Sequence, residues 1–429
     1  MDYKIAIPSL GRSKILQEQT FATLMRNNIN PQRITVFVVE EEYDEYRKAV
    51  PDIISVVVGV RGIVQQRKFI NNHYPEGTCV VSIDDDIKDI DLSLSQFQDL
   101  NSFFMCAFDD LYEHDAYLWG IYPVFNQFFR KQRQHMTSNL EFIIGGIYGA
   151  RVRHDEDLET TVAISGKEDL ERTLRYWIKD GCILRYNRIG YQTKFFGNDG
   201  GGLGSMKKRK AGDNMECRLI DDKFGMYGKI KERKDGRLEF VLHKIPRRLK
   251  TDVVTKLERI DPPCFDPLYQ MLMKITIPQI ISKEHKHGTA RRGFGTHRAV
   301  CIGMVRRRMT AEIGLSAFSK KYPKISEEIF RIGKIICPFD FTSVHLNNNV
   351  VCPPHVDSKN TGVSCIVSFG EYEGGKLVVD GVEYDAWCQP LTFNGSSLIH
   401  YNTPLEEGSN KYSLVFYNHG QCSDVKEEE

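Results

Sequence analysis

The first hundred residues alternate short apolar runs with stretches of helical spacing. Residues 4–10 form an apolar run that ends at Gly11-Arg12-Ser13, and residues 15–27 carry a helical pattern. Further apolar runs follow at 34–40, 53–58 and 79–83. Strands covered on both faces read as continuous apolar runs, and intervening helices are the connections that parallel strands require. The N-terminal part is expected to be α/β, with parallel strands and helices on both faces.

The last third has a different grain. Residues 362–370 read as a strand that stops at a turn, Glu373-Gly374-Gly375 opens another at 376–379, and Gly381 precedes a strand-like run at 387–393. Asn394-Gly395 is a hairpin-type turn that sets Leu398-Ile399-His400 on the next strand. Short strands at this spacing predict an antiparallel double-sheet barrel of the jelly-roll or cupin kind. Between the two parts, a helical stretch from Thr251 and then Asp261-Pro262-Pro263 mark the entry to a second domain, and residues 322–333 predict a helix beside the barrel. Two domains are expected, residues 1–250 and 251–429. A length of 429 residues with 41% hydrophobic content suffices for two cores.

The barrel carries the more informative chemistry. His355-x-Asp357 lies in an extended segment, His400 follows 43 residues after Asp357, and Lys411-x-Ser413 lies on a later strand. Two imidazoles and one carboxylate hold iron on one face in non-haem Fe(II) oxygenases and leave positions open for co-substrate and oxygen. The triplet alone is common, as His154-x-Glu156 shows, and the strand context singles out the first copy. A lysine pointing into a barrel needs an anion to offset its desolvation. The distal carboxylate of 2-oxoglutarate would supply one, with Ser413 donating from the same strand face. His355, Asp357 and His400 are thus expected as Fe(II) ligands, Lys411 and Ser413 as the 2-oxoglutarate anchor, and O2-dependent oxidation of a C–H bond as the reaction.

The segment from about Arg292 to Tyr417 resembles the TET/JBP-like 2-oxoglutarate and Fe(II)-dependent dioxygenases, which oxidise the 5-methyl group of pyrimidines in nucleic acid. The matching residues are Phe341-Thr-Ser-Val-His-Leu-Asn-Asn-Asn349, His355-Val-Asp357-Ser-Lys-Asn360, Gly370-Glu-Tyr-Glu-Gly-Gly375-Lys-Leu377, and His400 with Gly408, Lys411 and Ser413. The resemblance implies a double-stranded β-helix domain, with Asn360 contacting the base. It also implies a pyrimidine presented flipped out of DNA or single-stranded. Lys411 stands where the group has arginine, whose planar two-point fork lysine lacks.

At the other end, Asp84-Asp85-Asp86 directly follows the fourth apolar run, at the carboxyl end of the expected sheet, where ligands bind. Adjacent carboxylates repel unless a cation or hydrogen-bond donors sit among them, and a divalent metal on substrate phosphates meets that need. The run from Arg61 through Arg67-Lys68 to Asp86 resembles the GT-A (Rossmann-like) nucleotide-sugar glycosyltransferases similar to family 2. The resemblance implies a UDP-sugar donor held by Asp84 and Arg67, with a Mn or Mg ion on Asp86. Ile144-Gly-Gly-Ile-Tyr-Gly-Ala150 looks like the acceptor-side glycine loop, and Lys167-Glu168-Asp169 like the element that carries the general base. Either Glu168 or Asp169 would serve, although acids also suit the first turn of a helix. The glycine-dense residues 195–204 read either as a loop over the donor or as a connector, and His243 either as part of a metal or diphosphate site or as a strand histidine. Residues 1–245 as a whole resemble the glycosyltransferases that accompany TET/JBP-like enzymes in phage DNA hypermodification.

A net charge of +1 does not mark a nucleic-acid binder, but residues 205–250 hold 15 Lys/Arg against 7 Asp/Glu. Lys207-Lys208-Arg209-Lys210 and Arg247-Arg248 stand out there, with Arg291-Arg292 and Arg306-Arg307-Arg308 further on. Clustered cations of this kind can neutralise phosphates, and Lys207 to Lys210 read equally as a solvated linker. Eleven scattered cysteines without a C-x-x-C pair predict reduced thiols. No leader precedes the first apolar run, and no run approaches the ~20 residues that span a bilayer, so no membrane partner is expected. The expected compartment is cytoplasmic, in a phage- or virus-infected host cell, or the nucleus of a eukaryote. These readings add up to a bifunctional DNA-modifying enzyme that hydroxylates a pyrimidine methyl group and glycosylates the product. A fused lysyl hydroxylase and glycosyltransferase acting on collagen-like chains has the same two chemistries and is the alternative.

Overall fold

The computed structural model describes residues 2–193, 206–249, 251–281, 296–306, 313–357 and 359–419. The chain divides into two compact units, residues 1–247 and 248–429.

The first unit opens with β1 (Lys4–Pro8), α1 (Ser13–Ile15), a π-helical stretch Leu16–Phe21, α2 (Ala22–Arg26), β2 (Ile34–Val38), α3 (Tyr43–Ala49), β3 (Ser55–Val58), α4 (Ile63–His73) and β4 (Cys79–Ile83). It continues with β5 (Ile87–Asp91), α5 (Leu100–Glu113), β6 (Leu118–Tyr122), β7 (Met136–Thr137), β8 (Ile147–Arg151), α6 (Glu168–Asp180) and β9 (Leu184–Thr193). One sheet runs β3-β2-β1-β4-β8-β6-β9-β5, with β7 on β9. The strands from β3 to β4 are parallel, as the alternation of apolar runs with helices requires. Beyond those four strands the sheet is mixed, because β8 lies antiparallel between β4 and β6, and β5 antiparallel to β9. The chain between β6 and β8 leaves and re-enters at the same edge, and such a return makes antiparallel neighbours.

The core of this sheet is aromatic. Trp119 meets Phe103 and Phe104 of α5 at centroid separations of 5.2 and 5.8 Å, and Tyr186 of β9 at 6.2 Å. Gly149 makes room for that indole, since a Cβ there would lie 2.2 Å from it. The unit closes with α7 (Met206–Phe224) and the hairpin of β10 (Gly228–Glu232) and β11 (Leu238–Leu242). Residues 195–204 and 291–292 lie outside the described residues, as do the side chains of Lys207 to Lys210 and of Arg306, and the whole of Arg307 and Arg308.

The second unit begins with β12 (Thr255–Lys256), α8 (Asp266–Leu272), β13 (Gln279–Ile281), β14 (Thr296–Arg306), β15 (Ile313–Leu315), α9 (Ala317–Lys321) and α10 (Pro323–Ile336). It continues with β16 (Ser343–Asn348), β17 (Asn360–Glu371), β18 (Leu377–Val379), β19 (Val382–Tyr384), β20 (Leu391–Phe393), β21 (His400–Asn402) and β22 (Asn410–His419). The larger sheet runs β12-β20-β17-β22-β16-β14-β13, and the smaller β19-β18-β21 is extended by a bridge between His355 and His400. Counting β16, the His355 segment, and β17 to β22 as segments I to VIII, one sheet holds I-VIII-III-VI and the other II-VII-IV-V. That pairing is a double-stranded β-helix of the jelly-roll class.

Alternation along β22 and β17 sorts the faces. Tyr412, Leu414 and Phe416, with Cys365, Val367 and Phe369, pack against Ile325, Ile329 and Ile332 of α10. The intervening positions, Lys411 and Ser413 among them, therefore face the space between the sheets.

Local differences from expectation have local causes. No helix starts at Thr251. The Asp252 carboxylate instead bonds the Leu249 amide, Asn394 and Ser397, and the helix α8 waits until after Pro262-Pro263. The run 387–393 forms a strand only at β20, because Cys388 takes φ 51°. Asn394-Gly395 is not a two-residue hairpin, since the Asn394 carbonyl accepts from Ser397 and Leu398, so the strand begins at His400. The short β19 went unforeseen, although Asp380-Gly381, with φ 50° and 82°, is the turn dipeptide that calls for it.

Candidate functional site

In the second unit, β21 and the bridge to it bring His355 and His400 side by side. Their backbones exchange hydrogen bonds of 3.1 and 3.0 Å, and the ring centroids are 4.3 Å apart. Asp357, two residues on, points to the same side. Its Oδ1 lies 3.8 Å from His355 Nε2 and its Oδ2 3.7 Å from His400 Nε2. The Asp357 amide donates to the Gly395 carbonyl at 2.7 Å, which pins the segment to the turn before β21.

The second ring nitrogens set the tautomers. His355 Nδ1 donates to the Pro353 carbonyl at 2.8 Å and His400 Nδ1 to the Leu398 carbonyl at 3.0 Å, so both Nε2 lone pairs turn toward Asp357. Backbone carbonyls that orient imidazoles in this way are the usual outer support of metal-binding histidines. Each residue offers one ligand atom, and the three lie within 4.8 Å of one another, the only such His/Cys/Asp/Glu group among the described residues. The donor set fits a facial iron site. His154, the other H-x-[D/E] histidine, lies instead against the carbonyls of Asn71 and Tyr74 and the Glu76 carboxylate.

Lys411 is 5% exposed. Its Nζ donates to the Gly375 carbonyl and stands 5.2 Å over the Tyr372 ring, whose hydroxyl meets Ser368 Oγ at 2.7 Å. The carbonyl and the ring face offset part of the desolvation for which sequence reasoning invoked only an anion. Burial still pulls the ammonium pKa down to about 8, against the opposing fields of Cys352 and Asp385. Ser413 Oγ, on the same face, accepts from Asn347 Nδ2 at 3.4 Å. Asn360, expected as a base contact, sits beside the triad, its Nδ2 donating to Asp357 Oδ2 at 3.4 Å and its amide to the Asp357 carbonyl at 2.9 Å.

In the first unit, Asp84, Asp85 and Asp86 leave the carboxyl end of β4, and the donors that three adjacent acids demand are two guanidiniums and a hydroxyl. Asp84 pairs with Arg67 at 3.2 Å, Asp85 takes Ser9 Oγ at 2.6 Å and Arg12 at 3.1 Å, and Asp86 meets Arg12 at 3.4 Å. Sequence reasoning missed Arg12 and Ser9, whose signal was their place just after the first apolar run. Desolvation drives the Asp84 carboxyl upward, with Arg67 opposing and Asp86, Asp85 and Glu168 adding to the rise, while its 38% exposed side chain moderates the effect.

Glu168 and Asp169 occupy the first turn of α6 and divide the roles. Glu168 is clamped between Arg67 at 3.0 Å and Arg172 at 2.8 Å, and Arg172 stacks 3.7 Å over the Tyr148 ring. Asp169 Oδ2 accepts the Gly145 amide at 3.1 Å, and burial, then Glu168, raise its pKa. The glycine loop is glycine for packing reasons. A Cβ on Gly145 would press 3.2 Å from both Arg67 and Glu168, and one on Gly146 would lie 2.5 Å from the Tyr191 hydroxyl. His243 lies just past β11, its amide bonded to the Tyr227 carbonyl, and burial lowers its pKa.

No family model matches the chain, and no curated protein matches it. Solved structures do. NgTET1 in complex with 5mC DNA is similar over 29% of this chain and 62% of its own, at 16% identity and a TM-score of 0.24. A 2OG-Fe(II) oxygenase family oxidoreductase from Burkholderia pseudomallei is similar over 38% of this chain and 84% of its own, at 13% identity and a TM-score of 0.28. A Pseudomonas putida prolyl-4-hydroxylase is similar over 40% of this chain and 95% of its own, at 16% identity and a TM-score of 0.24. The chain thus spans less than two thirds of the length of NgTET1. These likenesses are loose, and the reading of the second unit rests on its own strand pairing and ligand geometry.

Proposed function

We propose that the protein is a bifunctional DNA base-hypermodification enzyme, which hydroxylates the 5-methyl group of a pyrimidine and transfers a sugar to the resulting hydroxymethyl group. The observation that carries the first half is the convergence of His355, Asp357 and His400 on the mouth of a double-stranded β-helix. When bound, Fe(II) would supply the activation of O2. His355 and His400 hold their Nε2 atoms toward it, Asp357 contributes the anionic ligand, and Asn360 steadies the Asp357 carboxylate. Lys411, eleven residues after His400 and facing between the sheets, pairs with the distal carboxylate of 2-oxoglutarate, with Ser413 beside it on the strand.

The second half is supported by the acidic triplet at the carboxyl end of parallel strands, beside the first turn of α6. Asp85 is committed to Ser9 and Arg12, so a Mn or Mg ion carrying nucleotide-sugar phosphates would take Asp86 and the open edge of Asp84, with Arg67 behind them. Asp169 is the better base of the two candidates, because burial raises its proton affinity and leaves it outside the guanidinium clamp, whereas Glu168 is held by two guanidiniums.

Nucleoside mass spectrometry tests both halves. DNA containing 5-methylcytosine or thymine, incubated with the protein, Fe(II), 2-oxoglutarate, ascorbate, Mn or Mg and a panel of nucleotide sugars, gains one oxygen, or oxygen plus a sugar residue. The first gain vanishes in His355→Ala and the second in Asp86→Ala. Unchanged DNA, with 2-oxoglutarate turnover when a lysine-rich collagen-like peptide is supplied, would move both chemistries to a protein substrate.

A further inference from the structure

The loop between β6 and β7 displays what a folded chain ordinarily hides. Phe128 and Phe129 are adjacent in sequence, edge to face at 5.3 Å, and 69% and 52% exposed. The loop is not slack. Arg130 between them and the following lysine is fully buried, and its guanidinium bonds the carbonyls of Phe125 and Arg188 and the Asp91 carboxylate. Gln127 adds a bond to Asp91 at 2.9 Å. A buried arginine anchored to three residues thus holds two phenyl rings in water, at the expense of exposing about as much apolar surface as a core position would bury.

The surroundings of the rings are cationic. Residues 123–135 contain Arg130, Lys131 and Arg133 and no carboxylate. Lys131 stands 5.7 Å over the Phe128 ring, and Arg133, exposed, stands 4.5 Å over Tyr122 and bonds the Phe129 carbonyl. Asp91, the acid closest to the loop, is spent on Arg130, Gln127 and Ser93.

The loop also leaves the sheet at the right edge. β8 lies antiparallel between β4 and β6, so β6 runs parallel to β4, and its end at Tyr122 shares an edge with Asp84. Two strand spacings separate the ends of β4 and β6, about 10 Å. The loop thus leaves the sheet at the same end as the triplet.

Exposed π-faces with interleaved cations and no acids are the chemistry of a nucleic-acid platform, in which rings stack on bases and cations meet phosphates. We propose that the Phe128–Phe129 loop is a DNA contact of the first unit, with the two rings stacking against or between bases beside the modified pyrimidine and Lys131 and Arg133 meeting the flanking phosphates. This inference rests on the reading of the substrate as DNA and deepens it, by naming the element that holds the base open.

The test uses the full chain and a duplex carrying 2-aminopurine next to a 5-hydroxymethylpyrimidine. The wild-type protein should bind with a salt-sensitive anisotropy change and a rise in 2-aminopurine fluorescence as the neighbour unstacks. Phe128→Ala/Phe129→Ala should weaken binding by about fivefold or more and abolish the fluorescence rise, with the salt slope unchanged. Phe128→Tyr/Phe129→Tyr keeps the π-faces and should behave as wild type. Lys131→Ala should reduce the slope of log affinity against log salt by about one and leave the fluorescence rise in place. Thermal melts equal to wild type show that the surface changes leave folding intact. Wild-type affinity and fluorescence in the double alanine variant would overturn the proposal. No salt-sensitive binding by the wild-type protein would instead remove the DNA reading itself, and a partner protein would become the occupant to seek.

Discussion

Lys411 is a charged group in a place that disfavours its charge, and its titration reports on what it is for. In the free protein its pKa is depressed to about 8, while the unfolded chain keeps the ordinary lysine value near 10.5. Below pH 8 both states carry the proton and folding bears the desolvation, about 3 kcal/mol. Between pH 8 and 10.5 the folded protein releases the proton and the unfolded chain retains it, so stability should rise with pH across that window. Urea denaturation at pH 7.5 and 9.5 should show the rise in wild type and not in Lys411→Met. A dicarboxylate that pairs with the ammonium requires the protonated form. Affinity for 2-oxoglutarate should therefore be flat below pH 8 and fall up to about tenfold per unit above it, by calorimetry with Co(II) or Ni(II) in place of iron. The ligand triad makes a simpler forecast at the same scale. His355→Ala or Asp357→Ala removes one of three convergent donors, and stoichiometric binding of Co(II), followed by its visible spectrum, should be lost while the far-UV spectrum stays unchanged.

At the scale of elements, the glycines of β8 and of the segment before it are set by neighbours rather than by backbone angle. Gly149→Ala drives a methyl into the Trp119 indole, which is packed on all sides by Phe103, Phe104, Phe108 and Tyr186. The expected loss is about 1–3 kcal/mol, read as a fall in denaturation midpoint without a change in slope. An unchanged midpoint would mean that the indole has room to shift. The sequence showed Ile144-Gly-Gly-Ile as a glycine loop but not why. The reason lies with Arg67 on α4, Glu168 on α6 and Tyr191 on β9, none of which is a sequence neighbour. α6 teaches the same lesson. The acids in its first turn were legible as favourable to a helix start, but their division into a clamped Glu168 and a raised Asp169 depends on which of them meets the guanidiniums.

For the whole molecule, the two units have separate hydrophobic cores, one around Trp119 and the other between α10 and the larger barrel sheet. The two proposed chemistries should separate accordingly. His355→Ala should abolish oxidation and leave intact the transfer of sugar to DNA that already carries hydroxymethylpyrimidine, and Asp86→Ala should do the reverse, both by nucleoside mass spectrometry. Loss of both activities in either variant would point to one shared site. Among the described residues no helix is long and apolar enough to cross a membrane.

The sequence by itself determined the positions of β1, β2 and β4, several of the turn-punctuated strands of the barrel, and the identity of the three donors, His355, Asp357 and His400, that converge there. These are decided by local apolar periodicity, turn chemistry and residue type, which act over a few neighbours. The antiparallel insertion of β8, the late start of β21, and the pairings of Arg12 with Asp85 and of Arg67 with Asp84 and Glu168 were decided only in three dimensions. Each depends on which distant groups the sheets bring within hydrogen-bonding reach, and residue spacing along one chain does not encode that.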